Sequence, residues 1–134
     1  MNIKDIWPSG RQETRGIFSP AKKIDLGNYY LIFVSGQQAT KNENNEVFSS
    51  DIEEQTEDVF KQIDVVLKAA GASMDDVVKS VLYFTDIEAD FKKVSAIRDK
   101  WFANSKPVST CASCNGFSRK GAKIEIEVTA IIAK

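Results

Sequence analysis

The feature that most constrains the fold of this chain is an amphipathic segment between residues 50 and 71. Ser50-Asp51-Ile52-Glu53 has the spacing of a capping box at a helix start, and Gly71 suits a left-handed helix stop. A long helix with one apolar face must bury that face on another layer, so the segment predicts a layered domain. The residues of that face recur at steps of three and four: Ile52, Thr56, Val59, Phe60, Ile63, Val66, Leu67 and Ala70.

Apolar and β-branched runs around this helix predict the strands of a single sheet. The runs cover 17–26, 29–35, 77–85, 108–114 and 123–133, with Gly36 as a break and 37–40 as an optional continuation. A second amphipathic helix is predicted over 90–102, and an irregular arm over 1–16. The order β-β-(β)-α-β-α-β-β predicts an α/β (α+β) fold, with two helices on one face of a mixed sheet, in a single domain over residues 1–134.

Alternation along the strands predicts which side chains face the helices. In the strand 77–85 we expect Val78, Ser80, Leu82 and Phe84 on one face, and Val77, Lys79, Val81, Tyr83 and Thr85 on the other. In the last strand the odd-numbered residues Glu125, Glu127 and Thr129 share the face away from the helices. That face is too apolar for water and too charged for the core of a monomer, and it predicts a homo-oligomer that buries it.

The composition excludes several kinds of chemistry because the chain contains no histidine. Ser-His-Asp and Cys-His catalysis within one chain are excluded, as is a ribonuclease that uses histidine as acid and base. Two cysteines without histidine do not make a zinc site of the usual ligand set. A net charge of -1 argues against a nucleic-acid partner. The sequence shows neither a long apolar run nor a signal peptide, which predicts a cytoplasmic protein without a membrane partner.

Six stretches in this order resemble the RidA family, also called YjgF or L-PSP. They are Asp25-Leu26-Gly27-Asn28, Phe33-Val34-Ser35-Gly36-Gln37, 67–72, 76–79, 81–87 and 123–130, and together they span most of the chain from residue 17 onward. The resemblance implies a chorismate-mutase-like fold, a homotrimer whose sheets form an inner barrel, and ligand clefts between subunits. It also implies hydrolysis of reactive imines and enamines with release of ammonia, without cofactor or metal.

The chain departs from the family pattern at the residue that holds the substrate. Family members that are active carry Arg-Ser-Cys where this chain has Ser109-Thr110-Cys111, so that Ser109 stands in the place of a carboxylate-binding arginine. A family asparagine of the second helix corresponds to Ser95. Ser35, Gly36, Cys111 and Glu125 match the residue types that line the cleft. We therefore expect Ser35, Gly36, Ser95, Ser109 and Cys111 to bind substrate, with Glu125 as the catalytic carboxylate that orients water.

Each of these residues also has a structural interpretation. Glu125 could form a salt bridge at a subunit interface, Ser35-Gly36 could be a strand end, and Cys111 could be a buried, unreactive thiol. Cys111 and Cys114 spell CxxC, but along a strand their Cα atoms would lie roughly 10 Å apart, beyond the roughly 6 Å of a disulfide. The spacing selects no cation to replace the arginine; the candidates are Arg11, Arg15, Lys22, Lys23, Arg119 and Lys120.

Three functions stay open at this point. The first is a trimer that binds a small metabolite between subunits and hydrolyses a C=N bond in a substrate other than a simple 2-imino acid. The second is a ligand-binding or regulatory trimer without catalysis. The third is an endoribonuclease, against which the missing histidine and the lack of a basic stripe both argue.

Overall fold

Helix α1 (Ile52–Ala69) lies with its apolar face on a six-stranded sheet, in a computed structural model that describes residues 2–9 and 18–134. The strands are β1 (Ile3–Ile6), β2 (Ala21–Asp25), β3 (Tyr29–Gln37), β4 (Val77–Phe84), β5 (Val108–Ser113) and β6 (Ile124–Ala133). Their spatial order is β1-β2-β3-β6-β4-β5, and all neighbours are antiparallel except β4 and β5. The single mixed sheet with two helices confirms the predicted fold class.

Helix α2 (Ile87–Trp101) makes the crossover between the parallel strands β4 and β5. Aromatic contacts hold its C-terminal turn against α1. Phe60 of α1 stacks on Trp101 at 5.7 Å between ring centroids and meets Phe102 edge-on at 5.3 Å. Trp101 Nε1 also donates a hydrogen bond of 3.1 Å to Glu57 Oε2. The last turn of α2 is therefore held from several directions, which limits the movement of its side chains.

The N-cap of α1 is Asp51, whereas the sequence predicts Ser50. The Asp51 side chain accepts the Glu54 backbone N–H at 2.9 Å, so the cap lies one residue later than the capping-box spacing suggested. Either residue type can cap a helix. Ile52, the first residue of α1, is buried. Gly71 follows the helix with φ of +82°, as the sequence predicts.

The predicted irregular arm over 1–16 is wrong for its first part. Ile3–Ile6 forms the edge strand β1, paired with β2 from Ile3 opposite Ile24 to Ile6 opposite Ala21. Its side chains are mostly exposed, so the strand has no burial pattern that would reveal it in the sequence. Backbone pairing with a distant strand decides its conformation.

The core lies between the sheet and the two helices. Along β6 the even-numbered residues Ile124, Ile126, Val128 and Ala130 are buried, while Glu125, Glu127 and Thr129 are partly exposed on the other face, as predicted. In β4 the alternation holds from Ser80 to Phe84 but fails at the start, since Val77 is buried and Val78 is exposed. The register with β6 shifts between Val77 and Lys79, and this irregularity exchanges the predicted faces of the two valines.

Strand β3 does not break at Gly36 but continues to Gln37. Its register with β6 shifts between Val34 and Gln37, so Ser35 and Gly36 form a bulge inside the strand. Beyond the bulge Gln37 lies beside Ile126. The bulge turns the chain so that Gly36 meets a β6 side chain on the face away from the helices.

The sheet face away from the helices, here called the open face, keeps apolar side chains in contact with solvent in a single copy of the chain. Phe33 and Ile131 are 46% and 39% exposed, and Val81 and Tyr83 lie between them and the edge strand β5. Within the part of the chain that is described, no helix has the length and apolarity to cross a bilayer.

Candidate functional site

Glu125 rests directly on Gly36 on the open face. A Cβ atom added at Gly36 would lie 2.9 Å from Glu125 Cδ and 3.1 Å from its Oε1, closer than ordinary van der Waals contact. The bulge in β3 brings the glycine there, and the missing side chain makes room for the carboxylate. Gly36 and Glu125, two of the predicted site residues, are therefore brought together by the fold.

A glutamine that the sequence did not single out orients the Glu125 carboxylate. Gln38 Nε2 donates to Glu125 Oε1 at 3.0 Å and to Ser118 Oγ at 3.1 Å. The amide oxygen of Gln38 accepts the Arg119 backbone N–H at 3.0 Å, which leaves the NH2 group for the carboxylate. Arg119 also donates from Nη1 to the carbonyls of Gln38 and Ala39 at 3.1 and 2.8 Å. This network holds one oxygen of Glu125, and the carboxylate keeps further lone pairs for a water or a ligand.

A second carboxylate on the open face is paired with a phenol. Tyr83 Oη donates a 2.8 Å hydrogen bond to Glu127 Oε1. This hydrogen bond and the negative charge of Glu127 raise the pKa of Tyr83 above its ordinary value, with smaller contributions from desolvation and from the charge of Glu125. Glu125 lies opposite Tyr83 in the β4–β6 register. Of the two carboxylates, Glu127 therefore has a phenol as partner and Glu125 has an amide.

Ser35 is tied to the segment before β2 rather than to a ligand position. Its Oγ donates to the Ser19 carbonyl at 2.7 Å, and its backbone N–H donates to the Pro20 carbonyl at 2.8 Å. The backbone amide of Ser35 is thus used inside the chain. Ser35 supports the bulge that carries Gly36.

The other predicted site residues lie on the helix face of the sheet, at its β5 edge. Cys111 pairs with the buried Leu82, and Ser109 pairs with the buried Ser80, so both side chains point toward the helices. Arg98 of α2 reaches Cys111, with Nη1 at 3.7 Å from Sγ. Ser95 lies one turn before Arg98, and its Oγ donates to the Lys92 carbonyl at 3.1 Å within the helix. We call Ser95, Arg98, Ser109 and Cys111 the α2–β5 cluster.

A cleft of about 660 Å³ opens beside this cluster. It is lined by Arg98, Asp99, Phe102, Ala103, Lys106, Pro107 and Ser109. Its volume is in the range of small-molecule sites, and its lining combines apolar side chains with a few charged ones. Arg98 could not be recognised in the sequence as a site residue, because at its helical spacing its stem looked like part of the packed face of α2.

Within one chain the two groups of site residues do not meet. Glu125 pairs with Tyr83, whereas Cys111 pairs with Leu82, and consecutive residues of β4 point to opposite faces. The sheet itself separates the carboxylate from the α2–β5 cluster. A cleft containing both therefore needs a second copy of the chain.

The two cysteines are free thiols, in agreement with the argument against a disulfide. Cys111 is inside β5, and Cys114 follows its end, with its backbone N–H bonded to the Phe84 carbonyl at 2.8 Å. Among residues 2–9 and 18–134, no three histidine, cysteine, aspartate or glutamate side chains cluster as metal ligands.

Of the candidate cations from the sequence, Arg119, Lys22 and Lys23 have partners outside the cleft, and Arg11 and Arg15 lie outside the described residues. Arg119 binds backbone carbonyls, Lys22 pairs with Asp5, and Lys23 Nζ donates to the Ala70 carbonyl at 2.7 Å. Lys120 stands in a backbone bridge with Glu46. Arg11 and Arg15 fall in the segment 10–17, which is not described.

Comparison with known proteins places these observations in a family. Residues 11–132 match the family model described as Endoribonuclease L-PSP. A RutC family protein of Pyrococcus abyssi is 38% identical over 114 residues, which are 85% of each chain. A candidate regulator of Lactococcus lactis, AldR, is 37% identical over 75% of this chain and 78% of its own. The structure of YyfA from Yersinia pestis, of the Rid protein family, has a TM-score of 0.83 and 29% identity, covering 98% of this chain and 100% of that one.

Proposed function

The chain belongs to the Endoribonuclease L-PSP family, and on that premise we propose that it binds a small metabolite in clefts between the subunits of a homotrimer. We further propose that it hydrolyses a C=N bond there, in a substrate other than a simple 2-imino acid. The observation that carries the proposal is Glu125, seated on Gly36 and oriented by Gln38 on a sheet face that its own helices do not cover. A cytoplasmic location stays a prediction from the sequence.

The separation of Glu125 from the α2–β5 cluster supports an assembly of several copies, and the number three rests on the resemblance to the family. The open face carries half-exposed Phe33 and Ile131, which other copies of the chain would bury. The same contact would set Glu125 of one subunit against the α2–β5 cluster of its neighbour. Because each subunit presents both half-sites, a closed ring completes every cleft.

The chemistry needs an attacking water and a group that accepts its proton. In the proposed reaction water adds to the carbon of the C=N bond while Glu125 takes one of its protons. The proton passes to nitrogen and gives a carbinolamine. The hydroxyl proton of that intermediate then passes to the same nitrogen through Glu125 as the C–N bond breaks, so that ammonia leaves and the carbonyl forms. Glu125 ends in its starting state. Since the reaction consumes only water, it balances without oxidant or reductant.

The test is ammonia release from imino acids generated in situ by dehydration of serine or threonine. Wild type is compared with Glu125→Gln, with Ser109→Arg, and with Glu127→Gln as a matched control from the same strand and face. Activity of wild type that Glu125→Gln removes and Glu127→Gln keeps supports an imine hydrolase and contradicts the restriction to substrates other than simple 2-imino acids. Activity that appears with Ser109→Arg alone supports the cleft and a different natural substrate. Full activity of Glu125→Gln would overturn the proposed role of the carboxylate.

A second function, a regulatory trimer that binds a ligand without turnover, is favoured by the name of the Lactococcus lactis relative AldR. It predicts that a ligand raises the free energy of unfolding by RT ln(1 + [L]/Kd). The midpoint of thermal unfolding then rises with ligand concentration, and no product forms. RNA cleavage, which the family description names, is tested with the same variants. The net charge of -1 and the absence of histidine argue against RNA as the substrate.

A further inference from the structure

The guanidinium of Arg98 stands where α2, β5 and the cleft meet. Its side chain is 19% exposed, so most of its length is covered by protein. The aromatic contacts of Trp101 and Phe102 hold the turn of α2 that carries it. A cation on a packed helix is presented in a narrow range of positions, which is what a binding site requires.

One edge of this guanidinium is engaged by a carboxylate, and the other is engaged by a weak acceptor. Nε and Nη2 donate to Asp99 Oδ1 at 3.1 and 3.0 Å, and the Asp99 side chain is 69% exposed. Nη1 faces Cys111 Sγ at 3.7 Å. A thiol sulfur is a weak acceptor, so an anionic oxygen that replaced it would gain a charge-assisted hydrogen bond.

The charges around the cleft favour an anion. Arg98 and Lys106 are positive and Asp99 is negative, so cations are in excess along the lining. Phe102 and Pro107 add apolar surface beside them. The ligand that matches this lining is a small molecule with one carboxylate and a short apolar body.

We propose that Arg98 supplies, from helix α2, the cation that binds a small carboxylate in this cleft. Ser109, which the resemblance to the family sets at the position of a carboxylate-binding arginine, lines the same cleft. In this proposal the positive charge of the cleft comes from α2 and not from β5. This inference rests on the proposed function and names the chemical class of the ligand. With the positive charge on α2, the carboxylate of the ligand would bind at a different position in the cleft than with a charge on β5. A different position fits a substrate other than a simple 2-imino acid.

The test measures binding and needs no turnover. Butyrate and its neutral isostere butyramide are titrated into the full-length protein by calorimetry. The variants are Arg98→Met, which keeps the stem and removes the charge, and Arg98→Met with Ser109→Arg. Lys93→Met, an exposed lysine of the same helix, is the matched control for loss of one positive charge. Circular dichroism and thermal unfolding establish that each variant folds.

We expect wild type and Lys93→Met to bind butyrate more tightly than butyramide. Arg98→Met should weaken butyrate at least tenfold, since a hydrogen bond to a charged group contributes that much or more. The added arginine at position 109 should restore much of the loss. Equal affinity for butyrate and butyramide, no butyrate binding to wild type, or a folded Arg98→Met that binds within twofold of wild type would each overturn the inference.

These outcomes are separate from the test of the proposed function. Butyrate binding through Arg98 without ammonia release would support this inference and contradict the proposed hydrolase. Ammonia release that depends on Glu125 but not on Arg98 would support the hydrolase and contradict this inference.

Discussion

Cys111 and Glu125, which the sequence predicts in one cleft, lie on opposite faces of one sheet. Their register partners on β4, Leu82 and Tyr83, are consecutive residues, and this fixes the opposition. The thiol meets Arg98 below α2, while the carboxylate meets Gly36 on the open face. A working cleft of the proposed kind therefore depends on assembly of the chain with itself.

Assembly is expected to depend on Phe33. Phe33→Asp would place a carboxylate in the buried interface, where an unpaired charge costs several kcal/mol. We expect sedimentation velocity to show a trimer for wild type and smaller species for the variant. Phe48→Asp is the matched control, since Phe48 is 51% exposed and borders a surface depression formed by helix residues. A monomeric wild type, or a trimeric Phe33→Asp, would contradict the proposed interface.

Gly36→Ala is expected to displace Glu125 with little loss of stability. The new methyl group would lie 2.9 Å from the Glu125 Cδ atom, and a flexible side chain can give way at a cost of about 0.5–1.5 kcal/mol. Misplacement of a reacting group by about 1 Å can cost on the order of 100-fold in rate. Turnover and unfolding are measured for Gly36→Ala, Glu125→Gln and the double variant. Since both changes act on one carboxylate, the double variant should be no slower than the slower single variant, and additive losses would contradict this.

One of the three tyrosines, Tyr83, is expected to lose its phenolic proton at a higher pH than an ordinary tyrosine. The hydrogen bond to Glu127 raises the pKa of Tyr83 in the folded protein above the value of about 10 that it has in the unfolded chain. The folded state holds the phenolic proton more tightly, so this stabilisation is fully present below pH of about 10. It is lost as the pH rises through the folded pKa.

Alkaline titration of the tyrosinate absorbance checks this expectation. Tyr83→Phe should remove the late step, and Glu127→Gln should move it toward the ordinary pKa. Tyr29→Phe, which removes an exposed tyrosine at the start of β3, should leave the late step in place. A late step that survives Tyr83→Phe would assign it to another tyrosine.

Asp51→Ala is expected to destabilise the protein by about 1 kcal/mol, because the Asp51 side chain accepts the Glu54 N–H at the start of α1. Ser50→Ala should change stability by less than about 0.5 kcal/mol, since Ser50 is an exposed residue before the cap. Urea unfolding at one fixed protein concentration compares the two variants. If Ser50→Ala lowers the free energy of unfolding more than Asp51→Ala, then Ser50 is the N-cap, as the sequence predicts.

Local patterns in the sequence predicted most elements but not their irregularities. The apolar residues at steps of three and four from Ile52 to Ala70 predicted α1. The alternation of apolar and polar residues predicted the buried face of β6. The faces of Val77 and Val78 were exchanged by a register shift, and Gly36 proved to be part of a bulge rather than a strand end. Bulges arise from pairing with another strand, so a period read along one strand does not reveal them.

For the candidate site, the sequence selected Gly36, Glu125, Ser109 and Cys111 but missed the residues that act on them. Gln38 reaches Glu125 across 87 positions of the chain, and its type carries no signal for that role. The charge of Arg98 lies beside Cys111 because the parallel crossover brings α2 over β5.

The sequence by itself determined the helix and strand periods, the exclusion of histidine chemistry, and the resemblance that the family match confirmed. These properties depend on residue type and on spacings of a few residues. The tertiary structure alone decided that Glu125 and Cys111 face away from each other and that Arg98 enters the cleft of Ser109. Those relationships depend on strand order and register, which long-range packing of the core selects and which no local spacing encodes.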